Sequence, residues 1–267
     1  MSYLYWDPPR TLVPWNIPIL GRPILWYGFL FALGFFLAYL VLLSLLRHDK
    51  DKEVKTNAKK IADSITLYSI VGAVVGARLF DVIFYENWGA ILRDPLSVFR
   101  VWEGGLASHG GVLGILVAFV IFQRRYRYFS GLHLLDMAVV PAGLASCFIR
   151  LGNFVNQEIL GKPTGVPWAV VFGHPADGSF PVPRHPVQLY EAAFYLGLFV
   201  LLWLLRNRWR REGRACGLFM VLLFGFRFLI EFFKEEQSWW LTQSPVTMGQ
   251  LLSIPFIVFG CYLIFRK

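Results

Sequence analysis

The sequence predicts an all-α integral membrane protein of seven transmembrane helices with a small head on the outer side, its N-terminus outside and its C-terminus in the cytoplasm. Three observations predict it. The chain is 56% hydrophobic and only 16% charged, against roughly 45–50% apolar and about 25% charged in an ordinary soluble domain, and its mean hydropathy is +0.52. Seven apolar runs approach the roughly 20 residues that cross about 30 Å of hydrocarbon. Lysine and arginine collect in alternate connections between those runs, the asymmetry that keeps short basic loops in the cytoplasm.

The runs lie at approximately 24–46, 62–84, 104–123, 132–150, 186–205, 215–233 and 247–265. Residues 47–60, "RHDKDKEVKTNAKK", hold six basic side chains, "RRYRY" at 124–128 three, "RNRWRREGR" at 206–214 five, and the chain ends in Arg266 and Lys267. These are 16 of the 26 lysines and arginines, all on one side. The opposite side has seven: Arg10, Arg22, Arg93, Arg100, Lys162, Arg184 and Lys234. An N-terminus outside, a C-terminus inside and an odd number of helices follow from this alternation.

The remaining segments fit a single polytopic membrane domain over 1–267. The N-terminal "MSYLYWDPPRTLVPWNIPILGRP" lacks a basic start, a compact apolar core and a small-residue cleavage site, so no cleaved signal peptide is expected. Trp88, Trp102, Trp168, Trp239 and Trp240 fall in the outer connections, where aromatic rings rest at the headgroup level. Residues 162–184 carry too many prolines and glycines for a long helix, and 151–185 is read as an ordered outer loop or small cap. The net charge of +9 is spread between apolar runs rather than gathered in a basic patch, which argues against a nucleic-acid partner. Cys147, Cys216 and Cys261 lie in or beside apolar runs with no C-x-x-C, and are read as small apolar fillers; no metal or cofactor motif is present.

Counting about 1.5 Å per helical residue places the buried polar groups by depth. Tyr27 lies near the outer end of the first helix, Arg78 and Asp81 in the outer part of the second, and His109, in "GGLASHGGVLG", near the outer end of the third. Arg150 and Asn153 end the fourth, while His185, Gln188, Tyr190 and Glu191 open the fifth. Arg227 and Glu231 occupy the outer half of the sixth, and Gly249 and Gln250 begin the seventh. All converge on one leaflet; Asp63 and Asp136 are the exceptions, expected to face inner water. Arg227 with Glu231 at i,i+4 and Arg78 with Asp81 at i,i+3 are also spaced to form structural bridges, and His109 to bond a neighbouring carbonyl. Arg150 has no acid at either helical spacing. It calls for an external anion or a carboxylate from elsewhere, with Glu158 the nearest along the chain. Since the inner helix halves are nearly uncharged, the pattern suits a pocket open sideways to one leaflet, and the anion abundant there is a phospholipid phosphodiester, which arginine grips with paired donors.

The segments "WYG" at 26–28, "GARL" at 76–79, "LASHGGVLG", "RLGNFVNQEILG", "HPVQLYEA" at 185–192, "FRFLIEFFKE" at 226–235 and "GQLLSIP" at 249–255 together resemble the bacterial prolipoprotein diacylglyceryl transferases over nearly the whole chain. The stretch from Arg150 to Gly161 is the most specific; "HGG" alone is weak. The resemblance implies a multi-pass enzyme of the bacterial inner membrane with a periplasmic head, a lateral opening and neither metal nor cofactor. Such an enzyme moves the diacylglyceryl group of phosphatidylglycerol onto the lipobox cysteine of a prolipoprotein signal peptide, forming a thioether and releasing glycerol-1-phosphate. It implies as site residues Tyr27, His109, Arg150, Asn153, Glu158, Gly161, Arg227 and Glu231; the depth map adds Arg78 and Tyr190 as substrate contacts. One position departs. The family often has a tyrosine one helical turn before the arginine of the sixth helix, where this chain has Leu223, so the hydroxyl is dispensable there or comes from Tyr190 or Tyr27.

A free thiol has a pKa near 8.5 and needs a base or a positive field before it attacks. His109 is the candidate base, with Glu231 or Glu158 orienting it or holding the arginines; Arg150 and Arg227, helped by Asn153 and Arg78, are candidates to stabilise the leaving phosphate. A transporter of anionic lipid would need polar groups reaching the inner face and often shows paired repeats, and a static lipid-binding scaffold would not need an unpaired Arg150 near a histidine. Because the reacting thiol belongs to the substrate, changing Cys147, Cys216 and Cys261 together to alanine should leave transfer activity largely intact; loss of turnover in correctly folded protein would contradict this.

Overall fold

A computed structural model describes residues 3–14, 23–84, 88–100, 105, 107–208, 211–235 and 246–266. Arg22, Trp102, Arg210, Trp239, Trp240, Lys267 and the side chain of Trp88 lie outside that description. In chain order the elements are strands β1 (Leu4–Trp6), β2 (Thr11–Val13) and β3 (Ile24–Leu25), then helices α1 (Trp26–Arg47), α2 (Lys52–Thr56), α3 (Ala58–Phe84) and α4 (Trp88–Arg93). A 3-10 turn Pro95–Phe99 leads to α5 (Ser108–Arg125) and α6 (Gly131–Val155). Strands β4 (Val170–Phe172) and β5 (Pro183–Arg184) precede α7 (Val187–Leu205) and α8 (Arg214–Ile230), and a 3-10 turn Glu231–Phe233 comes before α9 (Met248–Phe265).

Helices occupy all seven predicted runs. Six of them, α1, α3, α6, α7, α9 and α8 extended to Phe233, are long and apolar enough to cross a membrane. The helix on the third run, α5, is not among the six: its 18 residues begin with Ser108, His109 and two glycines and end in Arg124 and Arg125, leaving a shorter apolar stretch. The protein is thus a multi-pass, predominantly helical membrane protein, with short strands that the sequence reading did not foresee.

The chain divides into two compact units, Leu42–Leu134 and Met1–Val41 with Leu135–Lys267. In the first, Leu46, Val54, Ile61, Ile65, Phe122 and Leu134 are fully buried, and α2 starts on an Asp51 side chain that accepts from the Glu53 and Val54 amides. Helices α3 and α5 pack at backbone distance, because a Cβ on Gly76 or Gly114 would collide with the facing Gly110 or Gly72 carbonyl. The glycine-rich face around His109 is therefore used for helix contact, the usual role of small residues between membrane helices. Asp63 pairs with Lys59 at 2.9 Å on an open face.

In the second unit the segment between α6 and α7 is built into a three-stranded sheet, order β1-β4-β5, with β1 from near the N-terminus parallel to β4. Phe154, Leu160, Val170 and Phe172 form its core, closed by Trp6 and Leu189; the Trp6 indole donates to the Phe154 carbonyl at 3.1 Å. Asp7 accepts from Gln157 and His174 at 3.1 and 2.7 Å, and the His174 hydrogen bond holds its carboxyl below the ordinary aspartate value against a smaller opposing effect of burial. Proline and glycine stop a helix here, while Val170, Val171 and Phe172 supply the β-favouring run.

Asp136, half-buried, caps α8, its two oxygens accepting from the Gly213 amide at 2.6 Å and the Cys216 amide at 2.7 Å, amides that the helix start leaves without intrahelical partners. Asp136→Ala should lower the thermal midpoint in detergent, at a cost of about 1–2 kcal/mol, and Asp136→Asn should cost less because one acceptor remains.

Candidate active site

The site is assembled at the C-terminal end of α6. The helix ends in a Schellman turn: the Gln157 amide donates to the Phe154 carbonyl at 3.2 Å and the Glu158 amide to the Asn153 carbonyl at 2.9 Å. The left-handed position of that turn is taken by Gln157, φ 58°, where glycine is usual, and Ile159 follows at φ 55°. Such backbone persists only where its surroundings over-determine it. Here Gln157 is buried, its amide donates to Asp7, its side-chain oxygen accepts from the His174 amide at 2.7 Å, and its carbonyl accepts from Ala176. The turn swings Glu158 back toward the helix it has just left.

As a result Glu158 accepts from the side-chain amides of Asn153 at 3.0 Å and Asn156 at 2.8 Å. Asn153 in turn accepts from the Arg150 guanidinium at 3.1 Å. Tyr27 rests its ring against Gly152 and lies within electrostatic reach of both Arg150 and Glu158. Four of the sequence-predicted residues, Tyr27, Arg150, Asn153 and Glu158, are thus brought together.

Arg150 finds its carboxylate on another helix. Its Nε lies 3.0 Å from Glu191 Oε2, without the alignment of a hydrogen bond, and Glu158 reaches it only through Asn153. The other oxygen of Glu191 accepts from Lys234 Nζ at 2.8 Å and from the Tyr195 hydroxyl at 3.4 Å. Lys234 also lies 3.8 Å from Glu231. Burial pulls the Lys234 ammonium below the ordinary lysine value, while neighbouring Glu191 opposes that pull. The chain of opposite charges runs Arg150, Glu191, Lys234, Glu231. Glu191 is 0% exposed and Lys234 8%, whereas the side chains at the two ends, Arg150 at 15% and Glu231 at 14%, remain partly open.

Glu231 and Gly161 are fixed at the far end. A Cβ on Gly249 would occupy the space of the Glu231 carboxylate, which sits over the first turn of α9 and accepts from the Thr247 hydroxyl at 3.3 Å. Thr247 and Gln250 form a capping box there. A Cβ on Gly161 would collide with the His185 carbonyl; its absence lets Gly161 bridge Lys234 and accept from Arg184 at 3.1 Å. The Arg227–Glu231 bridge that the helical spacing allows is not formed. Among the described residues the Arg227 guanidinium makes no hydrogen bond or ion pair, although Tyr195 lies within electrostatic reach of both Arg227 and Arg150.

Tyr190 sits apart, its hydroxyl accepting from the Trp168 indole at 2.7 Å and lying 3.3 Å from His185; burial holds the His185 imidazole below its ordinary value. Arg78 and His109 belong to the other unit. There Arg78 bonds Asp81 at 3.1 Å, as the helical spacing allowed, and donates to the carbonyls of Ser97, Val98 and Gly105 at 2.8, 3.0 and 3.2 Å. His109 is exposed, its ring tilted against Phe80 with centroids 6.4 Å apart, and among the described residues it makes no hydrogen bond. Leu223 packs against Cys147, Ala192 and Tyr195.

Sequence reasoning did not select Glu191, Lys234, Tyr195 or Arg184 as site residues. An acid inside an apolar run is itself a signal, and Glu191 carried it. Lys234 was read as a loop cation, and nothing distinguishes Tyr195 among 11 tyrosines.

The model of the prolipoprotein diacylglyceryl transferase family matches residues 14–266. The chain belongs to that family. It is similar to proteins named phosphatidylglycerol–prolipoprotein diacylglyceryl transferase. That of Tolumonas auensis is 40% identical over 97% of this chain and 96% of its own length. That of Porphyromonas gingivalis is 39% identical over 99% and 95%, and that of Protochlamydia amoebophila 34% identical over 100% and 96%.

Removing a buried partner from a charge cluster costs about 3–5 kcal/mol because its counter-charges stay behind. Glu191→Leu, which leaves Arg150 without its carboxylate and Lys234 with Glu231 at 3.8 Å, should therefore sharply reduce the amount of folded protein recovered from membranes and its thermal midpoint. Wild-type recovery and midpoint would show that the cluster is not held by this carboxylate.

Proposed function

We propose that this chain transfers the diacylglyceryl group of phosphatidylglycerol to the lipobox cysteine of prolipoproteins, and that the transfer takes place toward the periplasmic side of the bacterial inner membrane. The chain is read as one polytopic domain of seven spans, with α5 the third of them, the N-terminus outside, the C-terminus inside and 151–185 the periplasmic cap. The charge distribution of the connections supports this topology.

The observation that carries the mechanism is the contrast between the two arginines. Arg150 is anchored by Glu191 and Asn153 yet remains partly open, and Arg227 has donors uncommitted to any described residue. A phosphodiester supplies the acceptors that both lack. In the reaction the substrate thiolate forms a C–S bond to the terminal carbon of the diacylglyceryl group, and the C–O bond to phosphate breaks. Glycerol-1-phosphate leaves with an added negative charge. Arginine donors fixed in a site sheltered from water stabilise that charge more in the transition state than in the bound lipid, which is what lowers the barrier.

His109, exposed and without a described hydrogen bond, is the group assigned to take the thiol proton. Asn153 and Glu158 hold Arg150 in place, Glu231 holds Lys234, and Tyr27 contacts the lipid headgroup. Gly161 keeps the backbone crossing close, and Tyr190 belongs to the rim of the cap. Arg78, with donors on Asp81 and three carbonyls, is assigned to the donor lipid only through the loop it holds.

The test is the purified protein with phosphatidylglycerol and a lipobox peptide, read by mass. Wild type should add one diacylglyceryl group; bound but unmodified peptide would overturn the function. Arg227→Ala should lose about 100-fold or more in rate without loss of folded protein, since no described partner is orphaned. A normal rate would sink the phosphate assignment. In variants of His109 the pH–rate profile should lose one ionisation as the rate falls.

A further inference from the structure

Tyr195 is a phenol bonded directly to the buried carboxylate of the charge cluster. It stands one helical turn beyond Glu191 on α7, is 5% exposed, and donates its hydroxyl proton to Glu191 Oε1 at 3.4 Å. Its ring is fixed among Cys147, Ala192 and Leu223, so the hydroxyl is held by apolar packing on one side and meets charge on the other. Beyond Glu191, it interacts with the Arg150 guanidinium and lies within electrostatic reach of Arg227.

Glu191 has two oxygens and three donors to satisfy. Oε2 faces Arg150, and Oε1 is shared by Lys234 at 2.8 Å and Tyr195 at 3.4 Å. Every donor on Oε1 draws negative charge away from Oε2. What Oε2 does not neutralise remains as positive field at Arg150. In a buried, low-dielectric cluster such sharing is felt strongly.

We propose that Tyr195 is a positioning residue for the transfer reaction: its hydroxyl, by sharing Glu191 with Lys234, keeps the Arg150 guanidinium oriented and under-neutralised so that it can act on the departing phosphate. Tyr195 does not touch the reacting atoms; it acts through Glu191 and Arg150. The role rests on the diacylglyceryl transfer proposed above. It also gives Leu223 a place, as part of the apolar wall that holds this ring rather than as a polar group of its own.

Tyr195→Phe keeps the ring and its packing and removes only the hydroxyl. In full-length protein given phosphatidylglycerol and a lipobox peptide, kcat should fall about tenfold, the usual scale for losing a hydrogen bond to a charged group. KM for the lipid should change less than kcat, because the affected charge develops in the transition state, and the thermal midpoint should stay near wild type. A wild-type kcat in Tyr195→Phe would overturn the proposal, as would a loss confined to the midpoint and to the amount of active enzyme. Should Tyr195→Phe not fold, 3-fluorotyrosine at 195, a stronger donor in almost the same volume, should raise kcat above wild type; an unchanged kcat would overturn it equally. Wild-type protein that leaves the peptide unmodified refutes the transfer reaction, whereas active wild type with an equally active Tyr195→Phe refutes the hydroxyl's role alone.

Discussion

A fully buried carboxylate is costly in an apolar interior unless cations surround it, and Glu191 is such a group. Arg150 of α6 and Lys234 beyond α8 are drawn to it from two other parts of the chain, and Tyr195 of its own helix completes its shell. The ends of three helices are thereby tied at one point. Without that carboxylate Arg150 would keep only Asn153, and Lys234 only Glu231 at 3.8 Å. The apolar faces of the helices allow many relative rotations, whereas an ion pair of about 3 Å allows few.

The cap serves the same point from the other side. Gln157 occupies a backbone conformation usually left to glycine, and it does so because Asp7, His174 and Ala176 all bind it. The reward of that strain is positional: Glu158 is turned back onto Asn153, and Asn153 holds Arg150. A strand from near the N-terminus, a sheet some 160 residues later and the end of α6 are therefore coupled to the orientation of one guanidinium. Local strain held by a saturated hydrogen-bond shell is a recognised mark of functional backbone.

Much of this was legible beforehand. The seven runs fell on helices, with α6 reaching Val155 before its Schellman turn stops it, and the grouping of Arg150, Asn153 and Glu158 was visible in "RLGNFVNQE". What was not legible was pairing. Helical spacing foresaw Arg78 with Asp81, which forms. It allowed Arg227 with Glu231, which does not, because the helix tightens into a 3-10 turn at Glu231 and the carboxylate meets Thr247 and Lys234 instead. Glu158 was the nearest acid to Arg150 along the chain, and Glu191 is the one beside it.

Hydropathy, the placement of lysine and arginine, and the family's motifs are properties of the chain read in order, so membrane class, helix positions and reaction were fixed by order alone. The partners of Arg150, the lack of a bonded partner for the Arg227 guanidinium among the described residues, the pairing of β1 with the cap and the burial of Tyr195 depend on which elements face one another. In an apolar interior a charge is satisfied by whatever lies within a few ångströms, and distance along the sequence has no bearing on that choice.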